Sequence, residues 1–525
     1  MLALETIVAI GAALVIAAVL APRLRVPLAL VQLVIGVLLG FIPALREVQL
    51  PSEAVLLLFL PAILFWESIT TSLRESRRYV RVILINGTLL VVATAFAVAG
   101  IGTWFGMPWA VALVMGAALA PTDATAVGNL AGALPLRQRT VLRAESLIND
   151  GTALVIYGIA VSVAVGEAEL TPLTVTWEVI VSYVGGVAIG LLVGLLGTVL
   201  RRIPNTLASN VSMIMTPFLA FLAAELVHAS GVLAVVVCGL LMGWRGPRVA
   251  RAEARDQVRS FWTLTTYMLN GALFVLIGLE VQVVLRDLPA RDLGFGILLG
   301  VVIWLALMVV RLVFTFVVTG ILRTVDRRPY QRTLRASNRA LLLNSFAGFR
   351  GAVSLAAALA VPLTVAGGDD FPLRSLIVFV TAVVIVLTIV VQGPLLPALI
   401  RWAHLPAGTE NDERRLAQTE SARAALDALP RLADELSIDD DVRDRVVREV
   451  EQHLAVLEAD GETEDGVETA RAKEQYAQLR LAAMQVKRET VLELRDARRI
   501  DDTVVRALQA ELDIEEIRLT GRESE

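Results

Sequence analysis

Thirteen stretches poor in charge and rich in apolar side chains follow one another through residues 1 to 403, and this succession limits what the chain can become. A helix needs about 20 mainly apolar residues to cross a hydrocarbon core of about 30 Å. By that measure the segments run roughly over 2–21, 28–42, 51–66, 80–103, 108–131, 144–165, 176–199, 207–227, 230–243, 260–285, 293–321, 338–362 and 373–400, the second, third and ninth being short. Hydrophobic residues make up 56% of the chain and the mean hydropathy is +0.69. A soluble multi-domain enzyme is thereby excluded. The expected fold class is an all-α polytopic membrane protein of about thirteen transmembrane helices.

Charge divides the chain in two. Residues 1–403 hold 29 of the 47 basic and 20 of the 51 acidic side chains, a surplus of nine positive charges, whereas residues 404–525 carry 18 and 31. The first region is expected to be the transmembrane domain, and the second an acidic helical cytoplasmic tail with a regulatory or dimerising role. In the tail, Val442, Val446, Val450, Leu454 and Leu457 recur at helical spacing, Gly461 to Gly466 interrupts, and Leu479, Val486, Val504, Leu508 and Leu512 mark later helices. Basic residues collect in cytoplasmic loops. With the N-terminus outside, the inward loops hold 22 of them and the outward loops only Arg46, Arg286, Arg291 and Arg374, alongside Glu167, Glu169, Asp369 and Asp370. The expected location is thus the cell membrane, with a cytoplasmic C-terminus. The first segment lacks the basic start of a signal peptide: Glu5 precedes the apolar run, and Arg23 and Arg25 follow it.

Several chemistries lose their basis. Cys238 is the one cysteine, so neither an intrachain disulfide nor a cysteine metal cluster is available. His228, His404 and His453 are far apart, and there is no HExxH helix, Walker loop or GxSxG elbow. No cofactor and no nucleic-acid partner is expected.

Ionisable groups at bilayer depth cost several kcal/mol unless paired or hydrated, which makes each a functional candidate. Asp123, Glu145, Asp150, Arg311 and Arg350 lie deep inside segments; Glu67, Glu225 and Glu280 stand near segment ends, where a side chain can reach toward water. Three acids against two bases leave one carboxylate without a fixed counter-charge. Such a carboxylate either takes up a proton or holds a cation. The two states exclude one another, which is the logic of an exchanger.

Local spacing sharpens this. In Glu145-Ser146-Leu147-Ile148-Asn149-Asp150 an offset of four sets the Ser146 hydroxyl and the Asp150 carboxylate, both hard oxygen ligands, on one helix face. Asn149 flanks that face, while Glu145, turned about 140 degrees from Asp150, is free to pair with an arginine. In segment five, Pro121 of Ala120-Pro121-Thr122-Asp123 removes an amide donor and frees carbonyls. Segment twelve is interrupted by Gly348-Phe349-Arg350-Gly351, and interrupted segments at equivalent positions of two halves point to a transporter site of broken helices. Asp123 at one break and Arg350 at the other can then compensate half-helix ends of opposite sign. Gly186, Gly190 and Gly194 in segment seven allow a close helix approach, internal or between subunits.

These residues resemble a known group, the monovalent cation:proton antiporters of the CPA1 type, which includes bacterial sodium/proton antiporters and animal sodium/proton exchangers. The likeness rests on Pro121-Thr122-Asp123, Glu145-Ser146-Leu147-Ile148-Asn149-Asp150-Gly151, Arg311 and Phe349-Arg350-Gly351-Ala352-Val353-Ser354, and covers about residues 1 to 403. The resemblance implies inverted repeats with two broken crossing helices, a homodimer, and an elevator-like movement. It implies Asp150 as the carrier of cation and proton, with Ser146, Asp123 and Thr122 helping to bind Na⁺, Glu145 paired with Arg311, and Arg350 as the charge of the crossing. The Asn149-Asp150 pair resembles the electroneutral branch of the group.

The sequence therefore predicts a secondary transporter rather than an enzyme. It exchanges Na⁺, with Li⁺ or K⁺ as alternatives, for H⁺ in electroneutral 1:1 fashion, and serves pH homeostasis. A K⁺-specific antiporter shares the mechanism. A cation channel is the alternative from another class, opposed by the two buried arginines; an aspartyl hydrolase built on Asp123 and Asp150 leaves Glu145, Ser146 and both arginines without a role.

Overall fold

A computed structural model describes residues 2–45, 55–123, 134, 136–166, 172–246, 249, 251–287, 290–325, 337–404, 410–458, 464–497, 499, 508–509 and 512–516. The chain divides into two compact units, Met1–Ala407 and Gly408–Glu525.

The first unit is built of helices: α1 Leu2–Leu24, α2 Leu28–Leu39, α3 Leu60–Ile69, α4 Val80–Trp104, α5 Trp109–Leu119, α6 Leu136–Val165, α7 Thr176–Leu200, α8 Thr206–Glu225, α9 Gly231–Arg245, α10 Ala252–Asp287, α11 Ala290–Val325, α12 Asn338–Phe346, α13 Ala352–Leu359 and α14 Arg374–Ala403. Among the described residues, eight helices are long and apolar enough to span a membrane, and four apolar ones are shorter. Among the described residues, helix covers at least part of each expected segment. The twelfth is split into α12 and α13, and the fifth stops at Leu119 because Pro121 cannot continue it. The continuation of segment five past Asp123 lies outside the described residues, as do Arg46, Glu167, Glu169 and Val504.

Polarity is distributed as a lipid solvent requires. Large apolar side chains such as Leu4, Ile7, Val15, Leu192 and Val313 lie on the outside, while Gln32, Ser68, Thr94, Gln282 and Gln392 are buried. Their hydroxyls satisfy helix carbonyls one turn back, as in Ser68 to Leu64 and Thr94 to Leu90, both at 2.6 Å. The glycines of segment seven serve internal packing: a Cβ at Gly190 would strike the Ala234 carbonyl, and one at Gly186 the Ser230 carbonyl, so α7 lies against α9 at backbone distance.

Segment ends differ from the sequence reading in three places. Helix α6 starts at Leu136, which draws Arg143 into a helix instead of a loop. Glu280 does not simply reach for water; it accepts from Arg374 at 3.0 Å, joining α10 to α14. Glu225 turns back to the first amide of α9, Gly231, at 3.4 Å.

The second unit contains α15 Glu410–Leu436, α16 Asp440–Glu458 and α17 Glu464–Asp496. Gly466 falls inside α17, so the interruption expected up to Gly466 is already over at Glu464, and Gly461 lies outside the described residues. Arg415 donates to the Leu457 and Glu458 carbonyls at 2.9 and 3.2 Å, and Arg423 pairs with Glu458 at 2.7 Å, closing the C-terminus of α16 against α15.

Candidate functional site

All eight residues singled out in the sequence are buried, none above 8% exposure. They come from three places: the end of α5, the middle of α6 and the gap between α12 and α13, with Arg311 reaching in from α11.

Two broken segments cross here and close one another. The Asp123 amide donates to the Phe349 carbonyl at 2.7 Å, and the Asp123 carboxylate accepts from the Ala352 amide at 3.1 Å. Ala352 is the first residue of α13, so a negative charge sits on a helix N-terminus with its unpaired donors. Arg350 does the reverse. Its Nε donates to the carbonyl of Leu119, the last residue of α5, at 3.1 Å, and Nη1 to Gly348 at 2.6 Å. Each break thus receives its compensating charge from the other segment. Gly351 makes the approach possible, because a Cβ there would overlap the Asp123 carboxylate. Gly351→Ala is expected to pry Asp123 from α13 and to cost about 1 to 3 kcal/mol, the usual effect of stranding a buried hydrogen-bonding group. A melting temperature and an exchange rate equal to wild type in that variant would contradict the close packing.

Helix α6 brings the second set. Ser146 Oγ donates to the Thr122 carbonyl and Asn149 Nδ2 to Thr122 Oγ1, both at 2.6 Å, so α6 holds the unwound Pro121-Thr122-Asp123 strand from one side. Among the described residues the Asn149 Oδ1 atom is buried without a hydrogen-bond partner. Glu145 points away and meets Arg311: Oε1 lies 2.7 Å from Nη2, at an angle that makes an ion pair rather than a hydrogen bond, and Oε2 accepts from Asn86 Nδ2 at 3.0 Å. Arg311 Nε is taken by the Asn344 carbonyl at 3.2 Å. Asn86 starts a π turn in α4, Asn86–Leu90, and was not singled out in the sequence. The space enclosed by Asn86, Glu145, Arg311 and Arg350 has no room for a water-sized sphere.

Asp150, on the same face of α6 as Ser146, makes no ion pair among the described residues. Its charge interacts with those of Glu67 and Asp123. Glu67 corrects the sequence reading, which left it reaching toward water. Among the described residues its Oε1 is buried without a hydrogen bond, and its charge interacts with Asp123 and with Arg143. The reason is length: the apolar helix Leu57–Ile69 is short for a span, roughly 20 Å at 1.5 Å per residue, so its end lies at depth. Glu67 and Arg143 enter the cluster together. Four acids, Glu67, Asp123, Glu145 and Asp150, now face three arginines, 143, 311 and 350, and the balance remains one negative charge.

Carboxylate, hydroxyl and carbonyl oxygens without thiolate or imidazole form a donor set for hard cations. The sequence itself agrees with this chemistry: residues 10–402 match the family described as sodium/hydrogen exchanger, transmembrane. The chain belongs to the sodium/hydrogen exchanger family. An uncharacterised Na⁺/H⁺ exchanger of Mycobacterium tuberculosis is 44% identical over 98% of this chain and 96% of its own. A sodium, potassium, lithium and rubidium/H⁺ antiporter of Bacillus subtilis is 31% identical, over 71% of this chain and 58% of its own. The solved sodium proton antiporter of Methanocaldococcus jannaschii superposes with a TM-score of 0.59 at 18% identity, covering 76% of this chain and 99% of that one. This likeness shows the fold. As a sodium/hydrogen exchanger the chain is a multi-pass membrane protein, and the crossing of α5 with α12 and α13 lies at the heart of the matched region.

Proposed function

We propose that this exchanger carries one monovalent cation against one proton, that the two compete for Asp150, and that the site faces the two sides of the membrane in turn. The observation that carries the reading is the single uncompensated negative charge of the buried cluster. Bound Na⁺ or bound H⁺ each neutralises it, and neither leaves room for the other. Asp150 and the Thr122 carbonyl, with the oxygens of Ser146, Asn149, Asp123 and Glu67, surround the cation; Glu145–Arg311 and Asp123–Arg350 hold the frame. The protein is a homodimer with its N-terminus outside and its C-terminus in the cytoplasm, where the acidic tail regulates it or steadies the dimer.

The test is purified protein in liposomes with a trapped pH dye and an imposed proton gradient. Na⁺, Li⁺ or K⁺ is added outside, with and without valinomycin to clamp the voltage; K⁺ belongs in the set because the Bacillus subtilis relative bears potassium in its name. A lumenal pH change that depends on Na⁺ and ignores the clamp is the expected result. A signal with K⁺ alone keeps the mechanism and changes the substrate, and single-channel currents in a planar bilayer support the channel instead.

Competition also has a sign. Protons fill the carboxylate as pH falls, so the apparent affinity for Na⁺ weakens from about pH 8.5 to about pH 6, approaching tenfold per unit once the protonated form dominates. An apparent affinity constant across that interval excludes a shared site.

A further inference from the structure

Away from the crossing, three arginines gather around an apolar cavity. Its volume is about 200 Å³, and its lining includes Arg201, Arg255 and Arg259 together with Trp66, Met213 and Met242. It sits at the end of the bundle where α7 stops and α10 begins. Arg201 follows directly on α7 and is 6% exposed. Its Nη1 donates to Ser209 Oγ at 3.3 Å and to Asn210 Oδ1 at 3.1 Å, both uncharged acceptors. Among the described residues no carboxylate pairs with it. Glu253, one of two acids in this turn of α10 with Asp256, accepts from Thr206 at 3.2 Å and from Gln257 at 3.4 Å. Burial and the like charge of Arg255 both push the Arg201 guanidinium below its ordinary range.

Arg201, buried and bonded to uncharged acceptors among the described residues, holds its charge at a cost that an anion in the cavity offsets. Size and depth narrow the anion. A water's share of liquid volume is about 30 Å³, so the cavity offers the room of several waters: enough for a phosphate and a few carbons, too little for a whole lipid. Trp244 stands at the same end of the bundle, half exposed, with the guanidiniums of Arg245 and Arg77 at 5.6 and 5.9 Å from its ring. Tryptophan among arginines marks the headgroup level of a bilayer. The neighbouring outer face of α8 offers Leu207, Val211 and Met215 to acyl chains.

We propose that this cavity binds the phosphate of an anionic phospholipid, the arginines holding its oxygens and Trp66, Met213 and Met242 packing against the glycerol and first methylenes. The planar guanidinium fork suits phosphate oxygens, and basic pockets between membrane helices take up lipid head groups. The site is separate from the crossing and does not rest on the transport reading.

The experiment measures the melting temperature of the full chain in neutral detergent while phosphatidylglycerol, phosphatidylcholine or inorganic phosphate is added. Phosphatidylglycerol is expected to raise it, and phosphatidylcholine at the same concentration is not. The half-maximal concentration should increase about fivefold in Arg255→Gln and again in Arg259→Gln, as fits the loss of one surface arginine each. Both side chains are exposed, so these variants fold; Arg201→Gln, deeper, loses the response altogether. Inorganic phosphate reproducing the full shift would assign the cavity to the free anion and overturn the lipid as its source. Equal shifts from both lipids, or an unchanged phosphatidylglycerol response in both exposed variants, would overturn the site.

Discussion

Asp150→Asn is expected to lower cation-driven proton flux in liposomes by at least about 100-fold, which corresponds to about 2.7 kcal/mol, and to leave the protein folded. The amide matches the carboxyl in shape but carries neither the negative charge that holds Na⁺ nor a titrating proton. Its fold is expected to survive for an electrostatic reason. Asp150 makes no ion pair among the described residues, and its charge is opposed by those of Glu67 and Asp123. Taking away a buried charge with like-charged neighbours relieves repulsion and desolvation together. A melting temperature equal to wild type or higher, beside a silent flux trace, is the combined signature. Wild-type flux in this variant ends the reading of Asp150 as carrier.

Glu145→Gln should act in the opposite way, through stability. The pair with Arg311 is almost fully enclosed, at 4% and 3% side-chain exposure, and the space beside it has no room for a water-sized sphere. Removing one member strands the other without hydration, which costs about 3 to 5 kcal/mol. Arg311 also keeps its bond to the Asn344 carbonyl, so the stranded guanidinium stays where it is. Glu145→Gln combined with Arg311→Met is expected to recover part of the loss, since both charges then leave the interior. Thermal unfolding of the two proteins in one detergent measures the difference; an unchanged midpoint for Glu145→Gln rules out a supporting pair.

Much of the fold was readable because lipid makes a simple demand on sequence. Long apolar runs, the Pro121 stop and the Gly348 to Gly351 interruption each correspond to a local backbone rule, and helices stand where those rules put them. The offset of four between Ser146 and Asp150 likewise sets both on one face. What escaped were consequences of depth and of partners distant in sequence. Glu67 stands one residue past the expected third segment and two before the end of α3, and only the shortness of that helix, once placed against α6, turns it into the cluster. Asn86 is a lone amide in an apolar stretch whose one sequence signal is polarity at mid-segment; its bond to Glu145 crosses 59 positions of chain. Arg143 looked like a loop residue because α6 extends a further two turns past its apolar stretch.

The charge swap at the crossing has an electrical consequence. In formal charge Asp123 is offset by Arg350, Glu145 by its ion-pair partner Arg311 and Glu67 by Arg143, with which its charge interacts, so the cluster around Asp150 carries one net negative charge. An elementary charge moved across a membrane meets about 2.3 kcal/mol per 100 mV. Under the proposed one-for-one exchange, a core of this composition, loaded with one Na⁺ or one H⁺, presents the field with nothing to pull on in either direction of its cycle. Energised and depolarised cells then offer such a carrier the same conditions, and the chemical gradients alone decide which way it runs.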